Sequence, residues 1–144
     1  MRREKGPKWS QMRVGEYVRR VDESLRRCYG DRPWAPRFGG VLDGLVHTML
    51  SQNTSDANSH LAFRRLKERF PRWEDAAAAG PAEIEEAIRP GGISRVKAAR
   101  IAELLERVRR DFGSYCLAPL AEMKPRAALA YLGDIPGVGR KTAA

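Results

Sequence analysis

The sequence predicts an all-α fold, and three observations carry that expectation. Apolar residues recur every three or four positions through most of the 144 residues. Proline and glycine fall where helices open and close rather than inside them. Nothing alternates with a period of two for long enough to make a strand. The apolar share is 42%, enough for a packed core and against wholesale disorder.

Ser10 is placed to cap a first helix running to about Cys28, with Val14, Tyr17, Val18, Val21, Leu25 and Cys28 at helical spacing and arginines opposite. Gly30 and Asp31-Arg32-Pro33-Trp34-Ala35-Pro36 break it and mark a domain boundary, giving an N-terminal basic segment 1–37 and a helical domain 38–144. Val41, Leu42, Leu45, Val46, Met49 and Leu50 are apolar nearly all round, the mark of a buried helix. The run Ser51-Gln52-Asn53-Thr54-Ser55-Asp56 then interrupts, because such side chains compete for backbone hydrogen bonds and favour caps. A third helix to about Phe70 turns Ala62, Phe63, Leu66 and Phe70 inward and stops at Pro71. Two short helices follow, Trp73 to Ala79, closed by Gly80, and one opened by Pro81 that ends before Pro90. After the tight turn Gly91-Gly92, Ser94 is expected to cap the most amphipathic helix, with Val96, Ile101, Leu104, Leu105, Val108 and Phe112 inward and Gly113 past its end. A loop through Pro119 leads to a helix opened by Pro125 and carrying Leu129 and Leu132.

The chain holds 27 Lys+Arg against 18 Asp+Glu, a formal charge of +9. Residues 1–40 carry 11 basic against 5 acidic residues, and residues 41–144 carry 16 against 13. Such a balance attracts polyanions, since each neutralised phosphate releases counterions. No stretch approaches the roughly 20 apolar residues of a membrane span, and the N-terminus lacks the apolar core of a secretion signal. Cys28 and Cys116 are too few for a disulfide framework or a four-thiolate metal site and read as reduced intracellular thiols. His47 reads as a satisfied core histidine, and Trp34 and Trp73 as packing residues.

The tail is the most informative stretch. Leu132-Gly133-Asp134-Ile135-Pro136-Gly137-Val138-Gly139-Arg140-Lys141-Thr142-Ala143-Ala144 reads as a helix end, a glycine turn and a new helix. Gly137 and Gly139 permit positive φ and remove side chains that would block close approach. Their amides can point at one phosphate, with Val138 packed beneath. The spacing of a P-loop is absent.

Ile135-Pro136-Gly137-Val138-Gly139-Arg140-Lys141-Thr142-Ala143 resembles the hairpin of the helix-hairpin-helix DNA glycosylases, the endonuclease III superfamily. Met49-Leu50-Ser51-Gln52-Asn53-Thr54-Ser55-Asp56 resembles the family's segment after its early buried helix, and Gly92-Ile93-Ser94-Arg95-Val96-Lys97-Ala98 its second DNA-facing loop. The three stretches come in the family's order and cover the chain from about residue 38 onward.

The resemblance implies the all-α helix-hairpin-helix glycosylase fold, incomplete at its C-terminus, and base-excision repair of double-stranded DNA containing damaged or mismatched bases by a monomer. It implies that Lys141 is the nucleophile of an apurinic/apyrimidinic lyase, attacking the anomeric carbon through an amine partly buried beside the hairpin. It implies DNA contacts by Gly137, Val138, Gly139, Arg140 and Thr142 in the hairpin, an apolar wedge at Ile93, and Lys97 near phosphate. Gln52 and Asn53 are the amides that would fill the space of an extruded base or touch the opposite strand. Many relatives carry glutamine directly before the threonine-containing turn, where this chain has Asn53 with Gln52 one place earlier, so either can be the DNA-facing one. The family's catalytic aspartate and iron–sulfur cysteines fall beyond Ala144, so no cofactor or metal is expected within this chain. A non-catalytic DNA-binding module, or an inactive truncated copy, is the alternative. A basic ribosome-associated protein would show no preference for abasic over intact duplex.

Overall fold

A computed structural model describes residues 13–31 and 38–143, with Arg140 by its backbone alone. Ser10, the whole stretch from Arg32 to Arg37, Trp34 included, and the side chain of Arg140 therefore lie outside the described residues. The described elements are helical, with no strand among them. They fall into two compact units divided between Ala35 and Pro36.

The first unit holds α1 (Val14–Tyr29), closed by Gly30 at φ 74°. Its apolar stripe is exposed at Val14, Val18, Leu25 and Tyr29. Glu16–Arg20 and Asp22–Arg26 pair one turn apart along it.

The second unit is built from α2 (Val41–Ser51), α3 (Asp56–Arg69), α4 (Trp73–Ala79), α5 (Pro81–Ile88), α6 (Ser94–Phe112), α7 (Pro125–Gly133) and α8 (Arg140–Ala143). Short 3-10 turns precede α6 (Arg89–Gly91) and α7 (Ala118–Glu122). The longest helix, α6, lies against α2, α4 and α5, and α3 lies against α2 and α5. Val46, Leu50, Leu66, Ile84, Ile88, Ile101, Leu105 and Val108 interlock between them without solvent contact. Most expected boundaries hold because their punctuation is local. Pro81 opens α5, Pro125 opens α7, and Gly113 closes α6 in the left-handed region. Ser55 caps α3, accepting the Asn58 amide. The N-cap of α6 is Ile93 rather than Ser94, whose hydroxyl donates to the Glu85 carboxylate at 3.4 Å. Gly91 lies so close to α3 that a Cβ there would sit 3.1 Å from that of Ala62.

Two inward assignments are corrected. Val41 and Val96 are exposed. Val96 is five residues before Ile101, off the buried stripe of α6, while Lys97 and Ala98 occupy it. Trp73 packs as expected, its indole N–H donating to Asp43 at 2.8 Å with the Lys67 ammonium 4.2 Å above the ring. His47 is half-buried and within 3.2 Å of His60, ring nitrogen to ring nitrogen.

Candidate nucleic-acid interface

Two non-glycine residues of the described chain have positive φ, Asn53 at 54° and Ile93 at 48°. Asparagine enters this region with little strain, whereas for a β-branched isoleucine it costs about 1–3 kcal/mol, and such strain concentrates at binding and catalytic sites. Both side chains are exposed, Ile93 to 57%. Asn53 stands at the turn after α2 and Ile93 at the start of α6.

Between these turns lies Lys97, only 5% exposed. Its Nζ donates to the carbonyl of Leu50 at 2.7 Å and to that of Gly91 at 2.9 Å. Leu50 belongs to the last turn of α2, whose carbonyls have no partner within the helix, and Gly91 ends the 3-10 turn. One cation thus caps two converging C-terminal ends, where partial negative charge collects. Lys97, expected near phosphate, has its ammonium buried and bonded to these two carbonyls. Burial lowers its pKa below the ordinary lysine value.

The hairpin between α7 and α8 is the third part. Ile135 and Val138 are buried, and the Val138 amide donates back to the Ile135 carbonyl at 2.9 Å. The expected packing of Val138 beneath the turn is therefore present, and its own amide is engaged within the hairpin. Gly137 has φ 84°, a conformation that glycine alone adopts without strain. The amides of Gly137 and Gly139 meet no backbone acceptor among the described residues. The Gly139 carbonyl accepts from Thr142 and Ala143 and so opens α8. Lys141, on that first turn, is exposed rather than partly buried, and Thr142 is half-buried.

Contacts remote in sequence hold the hairpin. The Gln52 side-chain amide donates to the Gly137 carbonyl at 2.8 Å. The Arg100 side chain lies on Gly137, its Cδ 3.0 Å from where a Cβ would be. Arg107, two turns further along α6, donates to the Asp134 carbonyl and carboxylate, both at 2.8 Å. Its guanidinium also lies 4.9 Å from the Tyr131 ring centroid. Sequence reasoning missed Arg100 and Arg107, whose only signal is their shared face seven residues apart on α6. The structure separates the two neighbouring amides, Gln52 turned to the hairpin and Asn53 to solvent.

Both cysteines are exposed thiols. Among the described residues no three of His, Cys, Asp and Glu gather in a way that could hold a metal ion, so these side chains do not fit an iron–sulfur cluster. No helix among them is long and apolar enough to cross a membrane.

Residues 46–141, which span all three parts, match the HhH-GPD superfamily of base excision DNA repair proteins. The chain belongs to that superfamily. A candidate DNA glycosylase of Arabidopsis thaliana is 43% identical over 102 residues, covering 71% of this chain and 35% of its own length. Endonuclease III of Thermotoga maritima is 33% identical over 99 residues, covering 69% of this chain and 42% of its own. The chain thus spans about a third to two fifths of these relatives. Among solved structures, the H. pylori 3-methyladenine DNA glycosylase MagIII, bound to 1,N6-ethenoadenine, superposes with a TM-score of 0.64. That match covers 89% of this chain and 60% of MagIII at 22% identity, a likeness of fold.

Proposed function

We propose that this HhH-GPD chain carries the DNA-gripping face and the nucleophile of a DNA glycosylase with apurinic/apyrimidinic lyase activity. The hairpin carries the reading. A glycine turn with two amides that meet no backbone acceptor among the described residues is held by Gln52 and Arg100, and the exposed amine of Lys141 follows on the next helical turn. Such a turn receives a backbone phosphate, and a phosphate held there fixes the register of the sugar beside it. Asn53 and Ile93 enter the duplex where the damaged base has left the stack, one as a polar and one as an apolar plug. Their exposure and positive φ support that assignment. Extruding the base costs a few kcal/mol, which such plugs offset by filling the gap.

The neutral Lys141 amine then attacks the anomeric carbon. The glycosidic C–N bond breaks, and the base leaves with its electron pair and takes up a proton. One amine proton goes to the departing base and the other to the ring oxygen as the C1′–O4′ bond opens, giving an imine; loss of a C2′ proton then breaks the C3′–O bond, and the 3′ phosphate leaves with that electron pair. A carboxylate or water at this place could release the base but could form no imine.

Borohydride reduction during reaction of the full-length protein with abasic duplex tests the proposal. The expected result is a covalent protein–DNA adduct, lost in Lys141→Ala while affinity for the same duplex stays within about threefold, as for a residue acting in the chemical step. An adduct that persists in Lys141→Ala contradicts the assignment.

A further inference from the structure

Asn53 and Ile93 sit on different elements, forty residues apart, yet both must meet the same base-pair step if both enter one gap. Something has to set the spacing between their turns. The Leu50 carbonyl is three residues before Asn53, the Gly91 carbonyl two before Ile93, and one ammonium binds both, at 2.7 and 2.9 Å. The backbone amide of Lys97 in turn donates to the Ile93 carbonyl at 3.1 Å. Among the described residues no carboxylate is hydrogen-bonded or ion-paired to the Lys97 ammonium, and the side chain is buried, so its donors serve these two turns.

We infer that Lys97 is a positioning residue that sets the spacing of the two duplex-entering turns, and through it the preference of the protein for a gapped over an intact base stack. An apolar side chain of the same length would fill the space yet leave two buried carbonyls without donors. The turns would then relax independently, each free to leave its left-handed conformation. Contacts to phosphate, made elsewhere, would not notice. This inference rests on the reading of Asn53 and Ile93 as the entering side chains.

The test is a mutant cycle in the full-length protein, at fixed salt. Its readout is the ratio of affinities for a duplex with a tetrahydrofuran abasic site and for the intact duplex. Lys97→Met is expected to lower that ratio by about tenfold, a coupling typical of residues acting through one network, with intact-duplex affinity unchanged. In the Asn53→Ala/Ile93→Ala background, Lys97→Met is expected to cost nothing more. A ratio unchanged by Lys97→Met, or one lowered equally in both backgrounds, overturns the inference while the reading beneath it stands. If Asn53→Ala and Ile93→Ala themselves leave the ratio unchanged, that reading falls and the inference with it. Should Lys97→Met fail to fold, Lys97→Gln, which keeps one donor arm, takes its place in the same cycle. If neither folds, Lys97 serves the fold alone and the inference is overturned.

Discussion

Burying the Lys97 ammonium costs solvation that two carbonyls only partly restore, and its lowered pKa records the balance. The sign of the resulting pH dependence is opposite to that of a lysine in a salt bridge. Below its folded-state pKa the side chain is charged in both states and the burial cost is present in full. Between that value and the unfolded value of about 10.4, the unfolded chain holds a proton the folded chain has released. Stability therefore rises with pH across that window. Urea unfolding of wild type and Lys97→Met is expected to give a difference that is flat near neutrality and moves in favour of wild type as pH climbs toward the unfolded value. A shift in the other direction contradicts this account. Residue type misled here and periodicity would not have. Val96 is apolar and was expected inside, but counting back four from Ile101 reaches Lys97, which takes the inward position. Asn53 and Ile93 were legible as candidates from their motifs. Their left-handed backbones were not, because positive φ at a non-glycine residue is imposed by the surrounding packing.

Among the elements, the hairpin depends on α6 more than on the helices that flank it in sequence. Its buried side chains, Ile135 and Val138, are few, and α7 contributes no fully buried residue. Arg107 compensates by clamping Asp134 at the hairpin entrance. Its Nε is buried 3.5 Å from Asp111 in an ion pair without a hydrogen bond, and Tyr131 donates to the same carboxylate at 3.1 Å. Arg107→Gln is expected to destabilise the fold by about 1.5–3 kcal/mol, the range for hydrogen bonds to a charged group, and to speed amide exchange at Ile135 and Val138 before that of the α6 core. Exchange that stays slow at the hairpin would contradict the clamp. Helix boundaries were readable because Pro81, Gly80, Gly113 and Pro125 act within one turn of themselves. The tethers were not, since Gln52 to Gly137, Arg100 to Gly137 and Arg107 to Asp134 join residues that no helical period relates.

For the whole molecule, charge and shape make separate contributions. In the proposed function, the +9 balance supplies affinity for any duplex, which falls with salt as counterions are released. The gap-filling contacts proposed for Asn53 and Ile93 involve no phosphate. Affinities for abasic and intact duplex are therefore expected to fall together as salt is raised, with their ratio preserved; a ratio that collapses to one would assign the preference to charge alone. Family membership was legible in the tail, since glycine, proline and lysine at fixed offsets answer to backbone and chemical demands rather than to packing.

The most direct test of the central claim is the site of the borohydride-reduced adduct, read by peptide mass spectrometry after digestion of the protein and the DNA. The account expects the deoxyribose remnant on Lys141, beside the hairpin. A remnant on any other lysine, or on the N-terminal amine, would contradict it.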